Sequence, residues 1–244
     1  MTTVLVIAGS DSSGGAGITR DAQTLARLGA RVLPVLTAVT AQTDARLSAV
    51  HVVPAHMVRA QMAAAFATQA VQAIKTGMLA TRAIVLAVAA ALPAAAPPIV
   101  VDPVLSSSSG GELLDSAARE ALCRALLPRT SLLTPNIPEA AALLGAQLAT
   151  TDEQLLRQAQ ALIGLGPAAV LLKGGHAEGP EAVDLLLMRG AAPLWLRAPR
   201  IDATRRGTGC ALASAVAAGL GSGLDLPAVC AQAKAHVRQL LLEN

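Results

Sequence analysis

The stretch VLVIAGSDSSGGAGITRDAQTLARLGARVLPVLTAV, residues 4–39, decides the fold class. It opens on VLVIAG (4–9), an apolar run the size of a buried strand, and breaks at a glycine-rich turn. It continues with helical spacing through TRDAQTLARLGA and returns to a second apolar run, VLPVLTAV. Strand, turn, helix and strand in that order form a βαβ unit, whose two strands lie parallel in one sheet.

The alternation continues downstream. A helix is expected from about Pro54 to Phe66, and AIKTGML and PIVVDPVL read as buried strands on either side of a helix through Ile84 and Leu92. SLLTPN is a strand ending at Pro135, with the helix PEAAALLG starting at once. AAVLLKGG repeats that logic, AVDLLLMRG and PLWLRAP read as a hairpin-like pair at one edge, and helices over 209–220 and 226–242 finish the chain. No internal repeat, low-complexity linker or composition break interrupts this order. The expectation is a single α/β domain over residues 1–244 with a mostly parallel sheet.

The composition narrows the function. Of the 244 residues 53% are hydrophobic and 14% charged, and Phe66 and Trp195 are the sole aromatics. The core must therefore be built from Ala, Leu and Val. The net charge of +3 is spread rather than blocked, and so few rings leave little for base stacking, which argues against nucleic acid as a partner. Cys123, Cys210 and Cys230 form no CxxC pair, so neither a disulfide framework nor a zinc site is suggested. MTTVLVIAGSD lacks a basic n-region and reads as a first strand rather than a signal peptide. Residues 83–101 carry no charge, but Pro93, Pro97 and Pro98 break them into helix, loop and strand instead of a membrane span. A soluble, cytoplasmic protein is expected.

In an open parallel sheet, function collects outside the carboxyl ends of the strands. The polar residues fall there: SDSSGGAG, KTGM, DPV, TPNIPE and KGGH each close an apolar run. GSDSSGGAGITRD (9–21) holds four glycines that let backbone N–H groups approach a ligand, although a tight turn with no ligand would also explain them. It matches neither G-x-x-x-x-G-K-[ST] nor G-x-G-x-x-G. Asp102 and Glu139 stand at two strand ends and, with Asn136 beside them, suit Mg²⁺ together with phosphate oxygens and water. The bland alternatives are a turn former before Pro103 and an acid complementing a helix dipole. Lys173 could reach phosphates or simply snorkel from the rim, and His176 reads as a loop residue. Gly207, Thr208 and Gly209 expose successive N–H groups at a helix start, a cradle for an anion. A thiol there, Cys210, is expected to have a lowered pKa, lowered further by Arg205 or Arg206, unless it is a small buried helix residue of the kind to which Cys123 and Cys230 are assigned.

Read in this order, AGSDSSGGAGITRD, KTGML, VVDPV, TPNIPEAAALLG, VLLKGGH and GTGC resemble the hydroxymethylpyrimidine/phosphomethylpyrimidine kinases of thiamine biosynthesis, over about Val4 to Leu220. The resemblance implies a ribokinase-like three-layer α/β/α sandwich, Mg-ATP, two successive phosphoryl transfers and a homodimer. It implies that Gly9, Ala16, Asp21, Gln42, Met78 and Val104 line a pyrimidine pocket, with the Gln42 amide suited to an aminopyrimidine edge. Asp102 and Glu139 would serve the metal, Lys173, Asn136, Thr208 and Arg206 the ATP phosphates, and Gly207 to Gly209 the anion hole. Cys210 would be the general base or the residue that orients the alcohol.

The chain departs from the family pattern in places. Arg205-Arg206 stand where Thr-His is usual, LSSSSGG stands where a basic loop is common, AQTD replaces AQN, and the usual tail beyond Asn244 is missing. The arginines are expected to replace the missing phosphate contact. Two alternatives remain: a pyridoxal-type kinase of the same superfamily, and a non-catalytic pyrimidine-binding regulator on the same scaffold.

Overall fold

The computed structural model describes residues 1–106, 111, 113–175 and 179–243. The expectations placed on His176 and on most of the LSSSSGG loop fall outside these residues.

The chain opens with strand β1 (Thr3–Asp11), helix α1 (Gly17–Arg27) and strand β2 (Arg31–Gln42), the βαβ unit that the sequence predicts. β1 runs parallel to β2, with Ile7 beside Val35. A short antiparallel strand, β3 (Leu47–Val52), then folds back on β2. Helix α2 (Ala55–Thr68) carries the chain across to β4 (Ala73–Thr76), which pairs with the other side of β1. β1 and β4 are thus neighbours whose onward connections leave in opposite directions, and a crevice opens at their carboxyl ends.

The order continues with α3 (Arg82–Ala91), β5 (Ile99–Val101), α4 (Ser116–Ala121), β6 (Leu132–Leu133), α5 (Ile137–Leu144), α6 (Asp152–Gly164) and β7 (Ala169–Leu172). The antiparallel pair β8 (Glu181–Met188) and β9 (Leu194–Pro199) follows, then α7 (Thr208–Gly221) and α8 (Leu226–Leu242). All nine strands form one sheet in the order β3-β2-β1-β4-β5-β6-β7-β8-β9. The expected edge hairpin and helix–loop–strand reading of residues 83–101 are present. Among the described residues no helix is long and apolar enough to cross a membrane.

Both faces of the sheet are buried, which is why its strands read as continuous apolar runs. Leu5 and Ile7 pack with Val58, Met62, Ile84 and Leu162 on one side. Val4, Val6 and Ala8 alternate to the other, against Leu25, Leu212, Val216 and Val229. Three elements escape the sequence reading. β3 is mostly exposed, and its sequence LSAVHV lacks the strict apolar–polar alternation that would betray it. α4 is short and runs on through a wider π turn at Leu122–Leu126, which holds Cys123. α6 is announced only by a capping box between Thr151 and Gln154.

One charged residue sits inside this core. Lys75 on β4 is fully buried, and its ammonium lies 2.8 and 2.9 Å from the two oxygens of Asp21 on α1, also fully buried. Ser214 on α7 donates to the same carboxylate at 2.8 Å. Burial by itself would depress the lysine pKa, yet the adjoining carboxylate holds it above the ordinary range. The pair ties β4, α1 and α7 together. Asp21→Ala, which strands the ammonium, is expected to cost about 3–5 kcal/mol in urea unfolding, and the double change Asp21→Leu, Lys75→Met to recover most of that.

Candidate active site

The glycine-rich turn after β1 is shaped by contacts between backbones. Gly17 opens α1 at φ +59°, where a Cβ would lie 2.4 Å from the Gly9 carbonyl oxygen, so no side chain fits. Gly207 caps α7 at φ +75°, and its missing Cβ would meet the Gly15 carbonyl oxygen at 2.3 Å. The N-termini of α1 and α7 therefore converge over the end of β1. Cys210, the third residue of α7, sits at this meeting point, close to the Gly17 backbone.

The expectation of an acidic thiol is overturned. Burial pushes Cys210 up to about 11; the Lys75 ammonium opposes this, while Asp21 and Asp102 add to the rise. Neither arginine helps. Arg205 donates to the Leu240 and Glu243 carbonyl oxygens at the end of α8. Arg206 donates to Asp11 Oδ2 at 3.0 Å, Ser13 Oγ at 2.8 Å, the Thr43 carbonyl at 3.2 Å and Asp44 Oδ1 at 3.0 Å.

A second charged group lies on the β5–β7 side. Asp102, just beyond β5, is 3% exposed, and Lys173, just beyond β7, donates to its Oδ1 at 3.1 Å. A Cβ on Gly209 would lie 3.2 Å from Lys173 Nζ and 3.5 Å from Asp102 Oδ2, which puts this pair against the α7 entrance. Glu139 closes a capping box with Asn136 at the start of α5, accepting from the Asn136 N–H at 2.8 Å. Burial raises the Glu139 pKa; Lys173 works against that shift and Asp102 adds to it. Glu139 thus lies within electrostatic reach of both members of the Lys173–Asp102 pair. Val104, at φ +36°, is strained for a β-branched residue, a cost of order 1–3 kcal/mol that concentrates at functional sites. The turn carrying Lys173 is fixed from behind: Gly174 N–H donates to Asp184 Oδ1 at 2.9 Å, and Lys234 of α8 holds Asp184 Oδ2 at 2.7 Å.

Two carboxylates and a lysine beside the N-terminus of α7, at the carboxyl ends of parallel strands, are groups of the kind that bind phosphate. Residues 11–244 match the family described as phosphomethylpyrimidine kinase. The chain belongs to this family. A relative within it is the hydroxymethylpyrimidine/phosphomethylpyrimidine kinase of Streptomyces coelicolor, 45% identical over 235 residues, which are 96% of this chain and 86% of that one. The phosphomethylpyrimidine kinase structure from Clostridium difficile covers 98% of this chain and 99% of its own at 34% identity, with a TM-score of 0.85. The Staphylococcus aureus pyridoxal kinase in complex with pyridoxal covers 100% of this chain and 89% of its own at 30% identity, with a TM-score of 0.91. These likenesses carry the ribokinase-like fold.

Within this family fold, most of the expected pocket residues gather at the crevice. A Cβ on Gly9 would lie 2.9 Å from Met78 Sδ, so these two are in contact. Ala16 caps α1, and Gln42 ends β2 with its backbone bonded in both directions to Ser12 Oγ, at 2.8 and 2.9 Å. Two residues are placed differently. Asp21 is fully buried, its carboxylate held by Lys75 and Ser214, so it stands behind the pocket as a counterion and does not line it. Arg206 engages Asp11, Ser13, the Thr43 carbonyl and Asp44 through its two terminal nitrogens, so these nitrogens tie turns together and do not stand free for an ATP phosphate.

Lys75, Asp184 and Lys234 were missed by the sequence reading. The signal for Lys75 was its presence in an apolar strand run, where a lone ammonium demands a counterion. Because the thiolate is the reactive form, alkylation of Cys210 by iodoacetamide, followed by peptide mass spectrometry, is expected to rise about tenfold per pH unit from about pH 7 to about pH 10. A plateau near neutral pH would contradict the raised pKa.

Proposed function

We propose that this protein transfers the γ-phosphoryl group of ATP to the hydroxymethyl oxygen of 4-amino-5-hydroxymethyl-2-methylpyrimidine, and then a second phosphoryl group to the monophosphate. The observation that carries this reading is the closeness of Gly209, next to Cys210 at the start of α7, to Asp102 and Lys173 beyond the ends of β5 and β7, in a chain of this family. The successive N–H groups of Gly207, Thr208 and Gly209 face the charge that develops on the transferred group. Lys173 is the phosphate cation and is already poised beside Asp102.

Asp102 and Glu139 would hold Mg²⁺. Among the described residues no cluster of three or more His, Cys, Asp or Glu could hold a metal alone. Two buried carboxylates suit a hard cation that keeps water and phosphate oxygens as its other ligands. When bound, such an ion neutralises charge on the β- and γ-phosphate oxygens. Gly9, Ala16, Gln42, Met78 and Val104 form the pyrimidine side, with Gln42 supplying both a donor and an acceptor to the ring edge. Asn136 orients Glu139 through the capping box. The homodimer and cytoplasmic location implied by the family resemblance, and the reading of the chain as one domain, belong to the same proposal.

Cys210 receives the alcohol proton as its oxygen attacks phosphorus. This requires the thiolate, a minor form in the free protein given a pKa near 11. Turnover on the pyrimidine alcohol is therefore expected to rise with pH between about 7 and about 9, and Cys210→Ala to lower kcat by about 10²–10⁴-fold. A flat profile together with near-normal Cys210→Ala turnover would leave Cys210 as a residue that only orients the alcohol.

A second reading, a kinase for pyridoxal, rests on the TM-score of 0.91 to the Staphylococcus aureus enzyme. Incubation with Mg-ATP and each alcohol separates the two. Phosphorylated pyrimidine in preference to phosphorylated pyridoxal is the expected product, and the reverse preference would overturn the first reading.

A further inference from the structure

The turn between β2 and β3 has little to hold it in place by packing. Residues 43–46 and most of β3 are exposed, and Asp44 has 85% of its side chain in solvent. Internally the turn is well formed, with Thr43 N–H donating to the Arg46 carbonyl at 2.9 Å and Arg46 N–H to Thr43 Oγ1 at 3.1 Å. A segment with few buried apolar contacts takes its position from its polar ties. Two such ties are present. One is the pair of bonds between Ser12 Oγ and the Gln42 backbone. The other is Arg206, whose side chain is only 15% exposed and which reaches the Thr43 carbonyl and Asp44 on this turn while also gripping Asp11 and Ser13.

Arg206 immediately precedes Gly207, the cap of α7. Its guanidinium therefore links three segments that meet at the crevice: the α7 entrance with the anion cradle, the glycine-rich turn, and the residues just after Gln42. Charge fixes the direction of this grip. Asp11 is 5% exposed and needs a cation, and two carboxylates on one guanidinium leave the cluster net negative and unsuited to a phosphate.

We propose that Arg206 is a positioning residue for the pyrimidine half of the site, holding the turn that carries Gln42 over the crevice and in register with the anion cradle. The assignment rests on the proposed pyrimidine kinase activity. It differs from a phosphate contact in what it should change.

Arg206→Ala is expected to raise KM for the pyrimidine alcohol about tenfold, the worth of one charge-assisted bond, with KM for ATP changed by less than about twofold. Arg206→Lys, which keeps the charge but loses the fork, should recover part of the loss. Asp44→Ala, a change at an exposed residue, should shift the same KM by a smaller factor. Trypsin cleavage after Arg46, followed by mass spectrometry of the 1–46 fragment, should be faster in Arg206→Ala than in the parent protein and should be slowed in the parent by the pyrimidine. A rise in KM for ATP instead, or unchanged pyrimidine KM with unchanged cleavage at Arg46, would overturn the assignment. If the parent protein phosphorylates no pyrimidine, the functional reading fails by itself, and the Arg46 cleavage rate still reports whether Arg206 holds the turn.

Discussion

The buried Lys75–Asp21 pair is the constraint on which the rest depends. A lysine on a strand covered on both faces can exist only beside a counterion, and that counterion comes from α1. Ser214 brings α7 to the same carboxylate. Because Ser214 lies one helical turn after Cys210, fastening it also fixes where the α7 N-terminus ends. The sheet, the helix after its first strand and the helix bearing GTGC are thus held in one arrangement beneath the crevice. A break in the pair would reach the site through geometry and through charge, since Lys75 is also the largest influence holding the Cys210 pKa down.

Above that pin the site divides into two charged halves. Asp102, Glu139 and Lys173 form one, at the ends of β5, β6 and β7. Asp11, Arg206 and Asp44 form the other, between the glycine-rich turn and the β2–β3 turn. Gly17 and Gly207 let the two helix entrances meet backbone to backbone between these halves, with no room for a side chain at either position. The two cations are held differently: Lys173 is paired with Asp102, whereas Arg206 is shared between Asp11 and Asp44. The raised pKa of Cys210 belongs to the same balance, with burial and two nearby carboxylates outweighing one ammonium and the Gly17 backbone.

The framework of the fold was legible because its strands are buried on both faces and its turns close with polar residues. A strand lies within or over each of VLVIAG, AIKTGML, PIVVDPVL, SLLTPN and AAVLLKGG, although the last four strands are shorter than those runs. β3 was not legible, since it pairs through its backbone while most of its residues are exposed. Asp102 and Lys173 were legible as neighbours from their shared location at strand ends, whereas GTGC at its helix start was joined to them by the family resemblance alone. The state of Cys210 was not, because the helix N-terminus argument omits desolvation, which here dominates.

What the sequence by itself determined is the βαβ order, the family, and which residue types stand at each strand end. These follow from local periodicity and from motifs whose parts are close in the chain. Only the tertiary structure decided the charge partners. Asp21 became a core counterion instead of a pocket wall, and Arg206 became a tie between turns instead of a phosphate ligand. The physical reason is that a charge takes the nearest compensating group in space. For Arg206 that group is Asp11, 195 positions away along the chain.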